Sequence, residues 1–340
     1  PNMAETIISP GVFQRENDIS FIQPAPVEAG AAILGPTVKG PVEIPTIVTS
    51  YNDYTRKFGV TFESGSDKHE FLTSMAVKSY FDQGGSTCLV TRVVSGSYTA
   101  ATSTDITDVS GSGTSPFELE TLGKGVIYNN QSTSTYGEEN SDGSLILGSS
   151  DSLRFDISNV NSSRGTFTLS VRRGDDNTKN KVVLESFNNL SLDPNSPNYI
   201  EKVIGNQRKV VNGDQVQLEG DYINKSNFIR VSAVNSPTLN YLSNDGVTVR
   251  DASFPNVLPV EQKGGFQAAT GDIKGGALLY NNISTQTQGL EGANYDVAIT
   301  LLSNADDYQF NVISAPGLVN ALHGTQVDNL ISLVESRGDS

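Results

Sequence analysis

The sequence predicts a multidomain protein of the α+β or α/β class, with an α/β core built from both ends of the chain and a β-rich domain inserted between them. Near both ends, apolar residues recur at helical spacing beside short runs that predict strands. Between residues 95 and 116 nearly every residue is Ser, Thr, Gly, Asp or Ala, and a β-rich pattern follows. A length of 340 residues also exceeds one ordinary domain.

Four segments are predicted along the chain. Residues 1–20 have no periodic apolar pattern and predict an N-terminal arm. Residues 21–95 form the first part of the core, and residues 96–253 form the inserted β-rich outer domain, as one lobe or two. Residues 254–340 form the second part of the core. We expect this part to be truncated, because a strand-helix unit that ends on its C-cap normally returns to the sheet through another strand.

The first part of the core alternates strands and helices. Residues 28–34 and 42–49 predict strands separated by Gly-Pro turns, and a short helix is predicted over Tyr51–Phe58, ended by Gly59. Residues 88–94 predict a buried strand.

A second helix is predicted between these elements. Asp67 is its predicted N-cap, and Glu70 follows at the capping-box position. Gly84 and Gly85 end it. Its apolar stripe consists of Leu72, Met75, Ala76 and Tyr80.

The middle of the chain predicts short strands and one helix. A turn over residues 174–177 joins two of the strands into a hairpin. Ser196 followed by Pro197 predicts a helix start, and Gly205 closes that helix. The predicted strands are 125–128, 153–157, 166–171, 181–187, 210–218 and 228–234.

The end of the chain returns to helical spacing. One helical stripe is followed by a predicted strand over residues 310–314. Thr325 is the predicted cap of a last helix, with Arg337 in its final turn and Gly338 at its C-cap. The first stripe consists of Tyr295, Ala298, Ile299 and Leu302.

Charge and composition exclude several functions. A net charge of −15 disfavours nucleic acid, which is bound mainly through Lys and Arg on phosphates. No apolar run approaches the length of a membrane helix, so membrane insertion is not expected. The single cysteine, Cys88, allows neither an internal disulfide nor a cysteine cluster for zinc, and its strand context predicts a core residue.

No set of residues predicts catalysis, so we expect no enzyme, no catalytic residue, no cofactor and no metal. Of the two histidines, His69 is placed in the first turn of a helix and His323 in a loop, with solvated or capping roles. Asp175, Asp176 and Asn177 lack the distal glutamate of an EF-hand, so a solvated hairpin turn is the preferred interpretation.

Six stretches in order resemble contractile-tail sheath proteins of myovirus-type phages. They combine Pro-Gly and Gly-Gly turns with aromatic residues and strand ends at similar places along almost the whole chain. They are residues 8–18, 35–41, 50–59, 80–93, 184–204 and, as a final pair, 313–317 with 335–339.

The resemblance implies a structural subunit that polymerises around an inner tail tube and contracts to drive the tube through the host envelope. Its implied partners are other copies of itself in stacked rings, the inner tube protein, and baseplate and tail terminator proteins. It implies a place in the tail sheath of the virion, after assembly in the bacterial cytoplasm. The implied assembly arm, which adds a strand to a neighbouring subunit, includes Ser9, Pro10, Gly11, Val12, Phe13, Glu16 and Asp18.

The resemblance also implies a C-terminal domain that we expect this chain to lack, and we therefore expect the chain to be monomeric at micromolar concentration. The alternative is a phage surface adhesin or receptor-binding tail protein, which the Ser/Thr/Asn-rich middle favours, although no sequence repeat is found. A bacterial contractile injection machine of the same family is a second alternative. Host, ring symmetry and any receptor of the outer domain stay open.

Overall fold

A computed structural model describes residues 27–64, 67–130, 139–273 and 283–338. It confirms the predicted mixed class, with five helices and seventeen strands in the described part. The helices are α1 (Tyr51–Phe58), α2 (Leu72–Asp82), α3 (Ile200–Ile204), α4 (Asp296–Leu302) and α5 (Asn320–Arg337). The strands are β1 (Val27–Gly35), β2 (Thr46–Val48), β3 (Thr61–Ser64), β4 (Asp67–Glu70), β5 (Cys88–Arg92), β6 (Ala100–Ser103), β7 (Phe117–Lys124), β8 (Leu153–Asn161), β9 (Thr166–Arg173), β10 (Val183–Ser191), β11 (Arg208–Asn212), β12 (Gln215–Glu219), β13 (Ile229–Val234), β14 (Gln262–Gln267), β15 (Gln286–Thr287), β16 (Leu290–Glu291) and β17 (Tyr308–Ser314).

Both ends of the chain build one four-stranded sheet, in the order β17-β1-β5-β2. β1 pairs in parallel with β17 on one side and with β5 on the other, whereas β2 pairs antiparallel to β5. Strands more than 200 residues apart along the chain therefore lie side by side, as the predicted core built from both ends requires.

Helices cover this sheet on both faces. Ala31 and Ile33 face α1 and α2, while Ala32 and Leu34 face α4 and α5. A sheet covered on both faces favours continuous apolar strands rather than alternating ones, and all five residues of β5 are indeed buried.

Cys88 lies in this core, and its burial raises the pKa of the thiol to about 12. We expect no reaction with a disulfide-exchange reagent at pH 8 while the protein is folded, and one equivalent after denaturation, since the thiolate is the reactive form. Because the folded-state pKa is the higher one, the thiol's contribution to stability is complete below about pH 8.5 and is lost as the pH rises through 12. Rapid labelling of the native protein at pH 8 would contradict this placement.

The middle of the chain forms a seven-stranded sheet in the order β10-β9-β8-β14-β6-β7-β13. Its core includes a stacked pair, Phe117 and Phe167, with ring centroids 5.4 Å apart, and an edge-to-face pair, Phe155 and Phe266, at 6.1 Å. β14 lies beyond the predicted boundary at residue 253, yet its backbone pairs with both β6 and β8. A strand from beyond the predicted end of the insertion therefore lies in the middle of this sheet and joins its two halves.

Polar contacts join the two sheets. The buried Arg92, the last residue of β5, donates to the carbonyl oxygens of Gly40 and Lys124, each at 2.8 Å. The Tyr128 hydroxyl accepts a hydrogen bond from the Gly40 amide at 3.0 Å. One arginine thus satisfies backbone groups of both units, and charge-assisted hydrogen bonds of this kind are the stronger ones.

The predicted start of the second helix is wrong. Asp67–Glu70 pairs with Thr61–Ser64 as a hairpin, and His69 therefore lies in a strand against Phe62. α2 begins only at Leu72, whose amide donates to the Gln288 side chain at 2.7 Å. The helix start is satisfied by a residue that is remote in sequence, so no local capping pattern marks it.

Four other sequence predictions differ from the structure. Residues 125–128 are not a strand, because Gly125 with a φ of +116° ends β7 and a 3₁₀ helix follows at Val126–Tyr128. Residues 210–218 are two strands, β11 and β12, because Gly213 with a φ of +65° makes a tight turn between them.

The polar stretch 95–116 contains β6, which gains its hydrogen bonds from β7 and β14. Finally, α3 begins after Tyr199, since Ser196 and Pro197 lie in a preceding turn.

The last helix also begins earlier than predicted. α5 starts at Asn320 and bends at His323, whose φ of −129° is not helical, so Thr325 lies within the helix. His323 is buried, and its Nδ1 accepts the Val319 amide at 3.0 Å. This histidine caps the first turn of the helix. The predicted C-cap at Gly338 is confirmed, with a left-handed φ of +68°.

Candidate assembly edge

The residues predicted to form the assembly arm, Ser9, Pro10, Gly11, Val12, Phe13, Glu16 and Asp18, lie outside the described residues. Their role stays a prediction. The structure instead describes the sheets that an added strand could extend, and their edges differ strongly from one another.

β17 is the outermost strand of the four-stranded sheet. Its register with β1 runs without a shift from Val27↔Tyr308 to Ile33↔Ser314. In the described part of the chain, no strand pairs with its other side. A seven-residue regular strand therefore presents one open row of backbone donors and acceptors.

The side chains of β17 do not protect this edge from pairing with another strand. The strand Tyr308–Ser314 contains neither a charged residue nor a proline. Val312 is 58% exposed, although it is a large aliphatic residue. Native edge strands are usually protected by lysine, proline, bulges or a covering element. Within the described ranges nothing protects this edge, which is typical of a strand that pairs with another chain.

The opposite edge of the same sheet is protected. β2 has only three residues, and the Lys57 ammonium group donates to the Ile47 carbonyl oxygen at 2.9 Å. A short strand whose carbonyl is already bound offers little to a further strand. The two edges of one sheet therefore differ in their capacity to pair.

The edges of the seven-stranded sheet are irregular. β10 shifts register twice against β9, and Asn189 within it has a φ of +56°. β13 shifts register between Val231 and Ala233, and the Val231 amide donates to the Gly205 carbonyl oxygen beyond α3. Bulges twist an edge away from further pairing. Among the described edge strands of the two large sheets, β17 alone is long, regular and uncharged.

The start of β17 is held firmly by the last helix. The Arg337 guanidinium donates to the carbonyl oxygens of Leu302 and Tyr308, at 2.7 and 2.6 Å. It also lies 4.3 Å from the centroid of the Phe310 ring. An arginine in the final helical turn was predicted from sequence, but its role in fixing the edge strand was not. A fixed edge strand loses little further conformational freedom when a partner strand pairs with it.

Metal clusters and membrane-spanning helices are both absent from the described ranges. No group of three His, Cys, Asp or Glu side chains there could hold a metal ion. The two histidines lie in different elements, His69 in β4 and His323 at the bend of α5. None of the helices described is both long and apolar enough to cross a membrane.

Comparison with known proteins finds similar solved structures but no match among protein-family models or curated proteins. The fold is similar to a sheath tail protein from Listeria innocua, with 11% identity and a TM-score of 0.42 over 92% of this chain and 46% of that one. It is also similar to a sheath tail protein from Desulfitobacterium hafniense, with 12% identity and a TM-score of 0.36 over 97% of this chain and 51% of that one. The chain thus spans about half the length of either protein, and at such low identity no residue here inherits a role from them.

Proposed function

We propose that this chain is a structural subunit of a contractile tail sheath and has no catalytic role. The observation that supports the proposal is the open edge of β17, which is regular, uncharged and unpaired in the described part of the chain. A strand from another subunit would extend the four-stranded sheet there by main-chain hydrogen bonds. The predicted arm, residues 1–20, would supply such a strand.

In this proposal, strand exchange joins copies into stacked rings around an inner tail tube. The arms act as hinges while the folded units rotate as bodies, so the sheath contracts and drives the tube into the host. Baseplate and terminator proteins would bind the two ends of the array. The protein would then belong to the tail of a virion.

The division into units follows from the same proposal. Residues 1–20 are the arm, and residues 21–95 with the last part of the chain are the α/β core. The outer domain begins at residue 96 and extends past 253 to include β14. Arg92 links the core to this domain through Gly40 and Lys124, so the outer domain would follow the core during contraction.

Negative-stain electron microscopy tests the proposal on the complete protein, meaning this chain together with the C-terminal domain that the family resemblance implies. We expect hollow, helically striated cylinders from the intact protein, and isolated particles when residues 1–20 are deleted. Discrete particles from the intact protein at every salt concentration would overturn the proposal and favour the adhesin alternative. Cylinders from both proteins would retain the sheath function but remove the arm from its mechanism.

A further inference from the structure

A groove of about 410 Å³ lies between the core and the inserted sheet. One wall comes from the loop after β1 and from the end of α1, and the other comes from β7, β9, β10 and the loop before β8. Its lining therefore brings together segments from residues 39 to 228 that no local pattern connects.

The groove has an apolar floor. Leu122, Leu184 and Phe228 are partly exposed within it, and Leu153 is buried beside them. Part of their apolar surface is therefore in contact with water. An apolar side chain of a partner that covers this surface gains about 25 cal/mol of favourable free energy per Å² buried. The floor can therefore bind an apolar side chain of a partner protein.

The rim of the groove is cationic. Lys39, Arg56, Lys57 and Arg173 line it, and Asp151 is the acidic residue among its lining. This balance is the reverse of that in the whole chain, which has 23 Lys and Arg residues against 38 Asp and Glu residues.

The rim cations are only partly neutralised by their own neighbours. Arg56 and Lys57 share one carboxylate, Asp53, and the Arg56 side chain stays 60% exposed. Lys39 pairs with Asp151 at 2.9 Å, and Arg173 pairs with Asp175. Four cations therefore face three carboxylates around this groove.

A fifth cation adds to the same field. Desolvation and the nearby positive charge of Lys57 lower the pKa of Lys209 on β11. Two ammonium groups near each other repel, and an anion placed between them would remove that repulsion. The positive field of Lys57 therefore reaches Lys209 on the β11–β12 hairpin.

From this geometry, we infer that the groove is a docking site for an acidic segment of a second copy of the chain, with one apolar side chain seated on the floor. The inference rests on the proposed function, since it supposes assembly of copies. Charge complementarity selects the partner: each copy has a net charge of −15, while the groove is locally positive. A groove on one copy that binds a different surface of the next makes a head-to-tail contact, which builds rings or open helical arrays.

Zero-length cross-linking tests the contact in the assembled wild-type protein. A carbodiimide joins a lysine amine to a carboxylate as an amide and takes up the water that is released. We would assemble a mixture of ¹⁴N and ¹⁵N protein and analyse the linked peptides by mass. The 2.9 Å ion pair of Lys39 and Asp151 gives a positive control within one copy.

We expect links of mixed isotope composition from Lys39 or Lys57 to an Asp or Glu of another copy. Links from these two lysines confined to one copy would overturn the inference while leaving the sheath proposal intact. Failure of the intact protein to assemble would instead count against the sheath proposal itself.

Charge reversal supplies an independent test. The double variant Arg56→Glu with Arg173→Glu is expected to raise the concentration needed for assembly about tenfold or more, which corresponds to about 1.4 kcal/mol. Lys68→Glu with Lys78→Glu is the matched control, because it makes the same change in net charge at lysines outside the groove, 73% and 54% exposed. Equal effects of the two variants would mean that only net charge matters, and the groove would lose its role.

Discussion

Replacement of Asp176 with asparagine is expected to lower the free energy of unfolding of the seven-stranded unit by about 3–5 kcal/mol. The Asp176 side chain is fully buried and accepts hydrogen bonds from the equally buried Arg172 at 2.7 and 2.8 Å. Arg154, also buried, lies 3.2 Å from the same carboxylate. Loss of the negative charge of Asp176 leaves the guanidinium groups of Arg172 and Arg154 in the interior with too little negative charge to balance them. The cost of these poorly paired buried charges is the source of the large effect.

Urea denaturation followed by circular dichroism measures this loss, and Asp175→Asn is the matched control. Asp175 is the adjacent residue in the same turn, but its ion pair with Arg173 joins side chains that are 32% and 41% exposed. Exposed ion pairs contribute about 0–1 kcal/mol, so the control should unfold nearly as the wild type does. Equal and small effects of both variants would contradict the buried network.

Replacement of Val312 with lysine is expected to abolish assembly of the complete protein without unfolding it. Val312 is exposed on the open edge strand, where a lysine places a charge beside the row of unpaired backbone groups. Edge strands of natural proteins are protected from pairing in this way. Surface substitutions away from special features usually change stability by no more than about 0.5 kcal/mol, so the folded subunit should persist.

Sedimentation velocity and electron microscopy of the variant measure assembly, and thermal unfolding measures the fold. Val183→Lys is the control, because Val183 is also an exposed valine on an edge strand, 52% exposed, but lies on the bulged β10. We expect the control to assemble normally. Assembly of Val312→Lys at wild-type concentrations would show that β17 does not pair with a partner strand.

Local patterns predicted several elements correctly. α1 begins after Ser50, whose hydroxyl accepts the Asp53 amide at 3.1 Å, and ends at Gly59 with a φ of +71°. The hairpin of β9 and β10 and the stripe on α4 were also predicted. In these cases the residues that decide the structure lie within a few positions of one another, so spacing and turn residues suffice.

Several of the failures share one cause, which is a partner that is distant in the sequence. The turn containing Asp176 was predicted to be solvated, because its sequence is typical of a hairpin turn. The structure buries Asp176 of this turn against Arg154 on β8, while Asp175 stays exposed. In the same way, a long-range bond to Gln288 replaces a local cap at α2, and pairing with β7 and β14 makes a strand of the polar β6.

The candidate site shows the same division. The sequence by itself determined that a strand lies near residues 310–314, that an arginine and a glycine close the last helix, and that both ends of the chain contribute to an α/β core. Only the tertiary structure decided that β17 is an edge and that β2 is blocked by Lys57. Whether a strand is central or at an edge depends on hydrogen bonds between segments that are far apart in the chain. Side-chain periodicity gives no information about which segments these are.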